Sequence, residues 1–349
     1  MTPTSKREAP DDWPTLLKDN ARTGGQGLQR AKFPPAAVWQ YRAGSSVRSA
    51  PVLRDNVLYV ASVGGTLHAI DCATGALKWK FQAAGQIHST PSLYENQILF
   101  GCDDGKVYAL DRHSGSKLWE AATGAEVWAS PVVRSGAVFF GSADAKVYAV
   151  EARSGQVRWI KELGGKIYST IYAAEQRLYL GCGDGKVYGL EAASGKILWR
   201  TSTGNGIDSS PAVSGDLLLI GSEDFFVYAL NVGTGEIQWK YETGLGISSS
   251  PAIADEFAVV GGKDGFHYAF DTPPGRLRWK NVVGDVVTAP AVVGEDVAWI
   301  QAGITFALSR DKGDIAWTAK LGDSIQSVPV VTTDMIYLAS LNGEVYALR

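Results

Sequence analysis

Short runs of apolar or alternating residues, separated by turn-forming residues, fill most of the chain. Near residue 220, LLLIG is apolar throughout, FVYALN is mostly apolar, and EIQWKYE alternates apolar with polar positions. Runs of about four to eight residues that are rich in β-branched and aromatic side chains are typical of strands. The turn signals between these runs lie too close together to leave room for a helix. The pattern therefore predicts an all-β protein.

The same four runs recur along the whole chain. Tryptophan marks the fourth run at a spacing of 40 residues, with one spacing of 38, at Trp39, Trp79, Trp119, Trp159, Trp199, Trp239, Trp279 and Trp317. A small residue followed by proline marks the first run, at Pro51, Pro91, Pro131, Pro211, Pro251, Pro290 and Pro329, with Ile171 once in its place. Tandem units of four strands in about 40 residues predict a β-propeller. Its blades are four-stranded and antiparallel, and the eight copies give eight of them.

The two ends of the chain predict how the ring closes. The last copy stops at Arg349 without a tryptophan strand, whereas AVWQYR, which holds Trp39, precedes the first copy. We therefore expect the N-terminal strand to complete the last blade. Residues 1–34 are predicted to be an N-terminal extension and residues 35–349 a single propeller domain. The repeated tryptophans are predicted to be docking residues between blades, because each can bury roughly 150–250 Å².

Composition narrows the function classes. The 349 residues carry a net charge of -3 with no Lys/Arg-rich run, which argues against a nucleic-acid partner. Cys72, Cys102 and Cys182 form neither a disulfide framework nor a CxxC metal site. Cys102 and Cys182 stand where other repeats have Ser142 and Ser222, and we expect them to be inert core residues. The Asp-Gly turns, such as DDGK, hold turn formers rather than metal ligands. No metal site, transmembrane segment or export signal is predicted.

One position differs in every repeat. It lies between a β-branched residue (Val47, Ile87, Val127, Ile167, Ile207, Ile247, Val286 and Ile325) and a small residue. It holds Arg48, His88, Trp128, Tyr168, Asp208, Ser248, Val287 and Gln326. We expect this position to open the innermost strand and its side chains to surround the funnel mouth. The set Arg48, His88, Trp128, Tyr168, Asp208, Ser248 and Gln326, the funnel ring below, is the predicted ligand- or partner-binding site.

The phrase AxDxxTGxxxW recurs in register as AIDCATGALKW, ALDRHSGSKLW, AVEARSGQVRW, GLEAASGKILW, ALNVGTGEIQW, AFDTPPGRLRW and ALSRDKGDIAW. It resembles the tryptophan-docking motif of the PQQ-like (quinoprotein-type) β-propeller family over about residues 12–349. The resemblance implies an eight-bladed propeller. Quinoprotein dehydrogenases in that family carry loop insertions for calcium, an Asp base and usually a pair of adjacent cysteines, and none is visible here. In size the chain is most similar to the BamB-like non-enzymatic branch.

These observations favour a binding or assembly scaffold without chemistry of its own or a cofactor. It would take a protein or peptide partner, or a small planar ligand, on the funnel face. The alternative is a PQQ-dependent alcohol or sugar dehydrogenase with calcium, in which Trp128 is the stacking floor and Arg48 meets a quinone carboxylate. A third possibility is a sensor domain of a larger signalling chain. Family members are often periplasmic, so a trimmed exported form and a cytoplasmic protein are both open.

Overall fold

The computed structural model describes residues 36–254, 256–282, 287, 289–293, 297–302, 304–319, 324–332 and 334–349. Within these ranges all the secondary-structure elements are β-strands, and they form eight four-stranded antiparallel sheets. The predicted all-β class and the eight blades are therefore confirmed. The predicted N-terminal extension, residues 1–34, lies outside the described residues.

The strands of blades 1 to 4 follow one another in chain order, and the first strand of each blade lies nearest the central axis. Blade 1 holds β2 (Val52–Arg54), β3 (Val57–Ala61), β4 (Thr66–Asp71) and β5 (Leu77–Gln82); blade 2 holds β6 (Ser92–Tyr94), β7 (Gln97–Cys102), β8 (Lys106–Asp111) and β9 (Lys117–Ala122); blade 3 holds β10 (Val132–Arg134), β11 (Ala137–Gly141), β12 (Lys146–Glu151) and β13 (Val157–Glu162); blade 4 holds β14 (Tyr172–Ala173), β15 (Arg177–Cys182), β16 (Lys186–Glu191) and β17 (Ile197–Ser202).

Blades 5 to 7 repeat this order, and blade 8 takes its outer strand from the start of the chain. Blade 5 holds β18 (Ala212–Ser214), β19 (Leu217–Gly221), β20 (Phe226–Asn231) and β21 (Ile237–Glu242); blade 6 holds β22 (Ala252–Ala254), β23 (Phe257–Gly261), β24 (Phe266–Asp271) and β25 (Arg276–Val282); blade 7 holds β26 (Val292–Val293), β27 (Val297–Ala302), β28 (Ile304–Ser309) and β29 (Ile315–Ala319); blade 8 holds β30 (Val330–Val331), β31 (Ile336–Ala339), β32 (Glu344–Leu348) and β1 (Ala37–Arg42).

The ring closes where β1 pairs with β32. Trp39 lies opposite Ala347, and the backbone N–H groups of Ala36 and Arg349 each donate to the other residue's carbonyl at 2.9 Å. At the far end of the pair, Arg42 forms an ion pair with Glu344 at 3.0 Å. The prediction that the strand around Trp39 completes the last blade is confirmed.

Each docking tryptophan whose side chain is described reaches across to the next blade. The indole N–H donates to a backbone carbonyl there at 2.8–3.1 Å, in the pairs Trp39–Cys72, Trp79–Arg112, Trp119–Ala152, Trp159–Ala192, Trp199–Val232 and Trp279–Arg310. The indole N–H of Trp239 has no partner among the described residues. The side chain of Trp317 lies outside the described residues. The contact combines burial of a large apolar ring with a satisfied polar N–H.

The glycine of the repeated motif lies under the tryptophan of the preceding blade. Gly155 has a φ of +70°, and a Cβ atom there would lie 2.5 Å from Cε3 of Trp119. The aspartate of the motif caps the equivalent turn in blade 2, where Asp111 accepts backbone N–H bonds from His113 and Ser114. This position therefore requires glycine for two reasons: its backbone conformation has a positive φ, and there is no room for a side chain.

We predict that Gly155→Ala destabilises the propeller more than Gly44→Ala does. Gly44 also has a positive φ, of +78°, but a Cβ atom there would have nothing within 4 Å. Gly44→Ala therefore carries only the backbone cost of about 1–2 kcal/mol. Gly155→Ala adds overpacking against Trp119, about 1–3 kcal/mol more. Urea unfolding measures both variants, and equal losses would contradict the docking role of the glycine.

A histidine replaces a core valine in blade 6. His267 is fully buried in β24, where the corresponding residue of blade 5 is Val227, and both of its ring nitrogens lack a partner among the described residues. Burial lowers the pKa of His267 to about 3. In blade 1, burial likewise lowers the pKa of His68 to about 4, although its Nδ1 lies 3.0 Å from the Tyr41 hydroxyl.

We predict that His267→Val stabilises the protein and weakens its acid sensitivity. The unfolded chain takes up a proton near pH 6.5 while folded His267 stays neutral, so stability falls below pH 6.5 by about 1.4 kcal/mol per pH unit. The valine also removes an unpaired buried polar group, worth about 1–3 kcal/mol. Melting curves between pH 7 and 4.5 test this, with Val227→His as the reciprocal variant that steepens the loss. Equal slopes in His267→Val and the unsubstituted protein would refute the prediction.

Candidate functional site

The funnel-ring residues lie on the linkers that enter each blade. The sequence placed them at the opening of the innermost strand, but the first strand of blade 1 begins at Val52, four residues after Arg48. The backbone N–H groups of the linker are used elsewhere: Val47 donates to Ser340 O of blade 8 and Ala50 to the Thr90 hydroxyl of blade 2. They cannot also pair within the blade, so the inner strand is shorter than the pattern predicts.

Side chains alternate along the linker, so that of three consecutive residues the middle one faces the funnel. In blade 3, Val127 is fully buried and Ala129 is buried, whereas Trp128 between them is 41% exposed. Val127 fills the space beside Gly101 of blade 2, where a Cβ atom would lie 2.6 Å from Val127 Cγ1. The linker is thus fixed by packing on one face and leaves the ring residue free on the other.

In blade 7 the register predicted from the sequence is wrong by one residue. Val287 was placed in the variable position, but it is fully buried and packs beside Gly261 as Ile247 packs beside Gly221. Its backbone N–H donates to Gly262 O, as Ile247 donates to Ser222 O. Counting back from the proline gives the wrong register because Pro290 stands one position nearer to the buried β-branched residue than the proline of the other blades. Val287 is a core residue, and Val286, placed in the core by the same count, lies outside the described residues.

Three ring residues on consecutive blades form a continuous aromatic row. The ring of Trp128 stacks on that of Tyr168, with centroids 4.7 Å apart and planes at 30°, and lies 4.9 Å from that of His88. The indole N–H of Trp128 donates to Asp103 Oδ1 at 2.8 Å, which fixes the ring. His88 has a lowered pKa, chiefly through burial and also through Arg48, while Asp103 opposes the shift.

Charged side chains border the row. Lys166 Nζ lies 3.2 Å from the Tyr168 hydroxyl and 3.8 Å from Glu126 Oε1, and the Tyr168 hydroxyl donates weakly to Glu126 at 3.4 Å. Sequence reasoning missed Asp103, Glu126 and Lys166. Glu126 and Lys166 stand two residues before the ring position, where the repeats also differ, so the comparison that found the ring would have found them.

The two blades that follow the aromatic row, blades 5 and 6, contribute Asp208 and Ser248 to the funnel ring. Asp208 is exposed to the funnel, yet its pKa is raised, first by the protein that surrounds it and then by the nearby Glu223 carboxylate. Lys263 pairs with Glu223 at 2.7 Å and partly offsets this effect. On the next blade, the buried hydroxyl of Ser248 has no partner among the described residues. Asp208 and Ser248 therefore do not join the aromatic row.

The axis of the propeller holds a cavity of about 260 Å³ at the base of the funnel. The residues that line it include Arg48, His88 and Gln326 of the funnel ring, together with Thr90, Ser130 and Ser250. The structure thus brings together three ring residues at this cavity and three in the aromatic row, with His88 shared by both sets.

Two features of the described side chains bear on a site for PQQ with calcium. In the part of the chain that the structure describes, no three His, Cys, Asp or Glu side chains converge as metal ligands. Trp128 has Tyr168 and His88 against it, so its stacking surface is already occupied in part.

The three cysteines are buried as free thiols, and burial raises the pKa of each to about 12. Among the described residues no helix is long and apolar enough to cross a membrane.

Solved structures share this architecture. BamB from Moraxella catarrhalis is 17% identical with a TM-score of 0.78, over 90% of this chain and 99% of that one. Quinohemoprotein alcohol dehydrogenase from Comamonas testosteroni is 14% identical with a TM-score of 0.85, over 97% and 81%. The computationally designed Ika8 protein is 15% identical with a TM-score of 0.79, over 96% and 99%. At such identities the similarity shows the fold alone.

Sequence comparison identifies the family. A search of curated proteins finds no significant match. The family model described as outer membrane protein assembly factor BamB matches residues 34–174 and 143–349, which together span nearly the whole chain. With the repeated docking motif and the eight blades, this match shows that the chain belongs to the BamB family of PQQ-like β-propellers.

Proposed function

We propose that this protein is a non-enzymatic binding scaffold whose protein or peptide partner docks on the funnel face. The observation that carries the proposal is the aromatic row of His88, Trp128 and Tyr168. An exposed tryptophan, stacked on a tyrosine and fixed by a hydrogen bond to Asp103, offers rigid apolar area at little entropic cost. Such residues are the usual anchors of protein interfaces.

The polar groups around the row suit a peptide ligand. Asp103, Glu126 and Lys166 supply acceptors and a cation at its border, while Arg48 and Asp208 place opposite charges on separate arcs of the funnel. An extended segment crossing the mouth would meet an aromatic surface first and charged groups at its edges. The family match supports a role in assembly, since the family model takes its description from an assembly factor.

The partner is expected to be lost when the row is removed. We predict that Trp128→Ala with Tyr168→Ala abolishes capture of the partner from the native cell while the melting temperature stays unchanged. Both rings lie on the funnel side of linkers whose buried residues are untouched. Affinity purification followed by mass spectrometry compares the double variant with the unsubstituted protein.

The matched control removes two exposed apolar side chains elsewhere. Leu118 and Ile160 on the outer strands β9 and β13 are each 50% exposed, so Leu118→Ala with Ile160→Ala is expected to retain the partner. A partner held by the unsubstituted protein and this control, but lost from the double variant, supports the proposal. A partner held equally by all three would contradict it.

The alternative function is a PQQ-dependent alcohol or sugar dehydrogenase. One observation favours it: no described residue forms an ion pair or hydrogen bond with the Arg48 guanidinium, which could meet a quinone carboxylate. Two observations argue against it: the described residues contain no cluster of three metal-ligating side chains, and Trp128 is already covered in part by Tyr168 and His88.

Titration with PQQ and Ca²⁺ separates the two functions. For a scaffold we expect no saturable quenching of tryptophan fluorescence and no dye-linked oxidation of alcohols or sugars. Arg48→Gln is the control for any quenching that does occur. Saturable quenching with turnover, lost in that variant, would overturn the scaffold proposal.

A further inference from the structure

A belt of hydroxyl groups lies around part of the propeller axis, next to the funnel ring. In blades 1 to 5 the backbone N–H that precedes the inner strand donates to a Ser or Thr hydroxyl of the next blade. The bonds run from Ala50 to Thr90 at 3.1 Å, from Thr90 to Ser130 at 3.0 Å, and from Ser210 to Ser250 at 3.0 Å. Since these hydroxyls accept bonds from the backbone, their own protons are left to donate elsewhere.

Three hydroxyl groups of the belt have no acceptor for their proton among the described residues. Thr90, Ser130 and Ser250 all line the axial cavity, and none of them donates to a described residue. A buried donor without an acceptor carries a free-energy cost. The cavity is therefore lined by groups that favour an acceptor placed on the axis.

The charge of the cavity favours an acceptor that is negatively charged. Arg48 lies on its wall without an ion pair or hydrogen bond to any described residue, and no Asp or Glu belongs to the described lining. Gln326 adds a further side-chain amide. A guanidinium and a set of hydroxyl donors on one cavity suit a carboxylate, which accepts two parallel N–H bonds and further bonds at its remaining lone pairs.

We propose that the axial cavity binds a carboxylate group, with Arg48 as its ion-pair partner and the hydroxyl belt as its floor. A cavity of about 260 Å³ has room for a ring that carries one carboxylate, because a cavity of about 150 Å³ holds benzene. The carboxylate is that of a free small acid or of a peptide C-terminus. The inference deepens the proposed function and rests on the funnel as the binding face.

Benzoate and benzamide test the charge requirement, because they share a ring and differ in the carboxylate. Isothermal titration is expected to show saturable benzoate binding and none of benzamide. Arg48→Gln is expected to weaken benzoate binding by about tenfold or more. The matched control is Arg200→Gln, on the exposed outer strand β17, which is expected to bind benzoate as the unsubstituted protein does.

Two peptides separate the sources of the carboxylate. N-acetyl-Gly-Phe with a free C-terminus is compared with its C-terminal amide under the same conditions. Binding of the free acid, but not the amide, assigns the site to a chain terminus, whereas binding of benzoate alone assigns it to a small acid. Either result supports the proposal provided that Arg48→Gln weakens it.

Failure of the site and failure of the scaffold proposal give different results. Absence of binding by both acids, equal binding of acid and amide, or full binding by Arg48→Gln would overturn the carboxylate site, whatever the partner experiment shows. Arg48-dependent benzoate binding in a protein whose partner capture does not need Trp128 and Tyr168 would contradict the scaffold proposal and leave the carboxylate site in place.

Discussion

The structure depends on one interaction, the docking of each tryptophan onto the next blade. A four-stranded sheet of this size has two apolar faces and cannot bury both alone. The indole covers the glycine of the neighbouring turn and donates to a carbonyl beside it, so apolar burial and hydrogen-bond satisfaction act at the same contact. Because Trp39 makes the same contact from β1 to Cys72, the ring has no first or last blade in energetic terms.

The docking contacts and the funnel ring lie at opposite ends of the blades. Each indole meets the turn that follows the third strand, whereas the linkers bond to the hairpin before it, as when Asp103 N–H donates to Gln86 O. The side chains at the funnel mouth are therefore not part of the tryptophan contacts that join the blades. Such a division allows the ring to differ in every blade while the motif is repeated in each one.

The sequence predicted the fold almost completely because each blade repeats the same physical solution. A period of 40 residues, a tryptophan and an Asp-Gly turn are local features, and the number of copies gives the number of blades. The register of blade 7 was predicted wrongly because Pro290 replaced a hydroxyl residue rather than occupying the usual proline position. The stacking of Trp128 on Tyr168 and the belt at the axis depend on contacts between linkers of different blades, which no single repeat encodes.

The belt is interrupted on one side of the axis, and this asymmetry defines what the cavity can hold. Blades 2 to 6 place Thr90, Ser130, Thr170, Ser210 and Ser250 there, whereas blades 7, 8 and 1 place Pro290, Val328 and Ala50. Arg48 and Gln326 belong to the linkers of the apolar arc. An occupant that lays an apolar body against that arc can direct a charged end to the guanidinium and the facing hydroxyls. A symmetric belt would suit a hydrated ion at the axis, but the observed one suits an amphipathic acid.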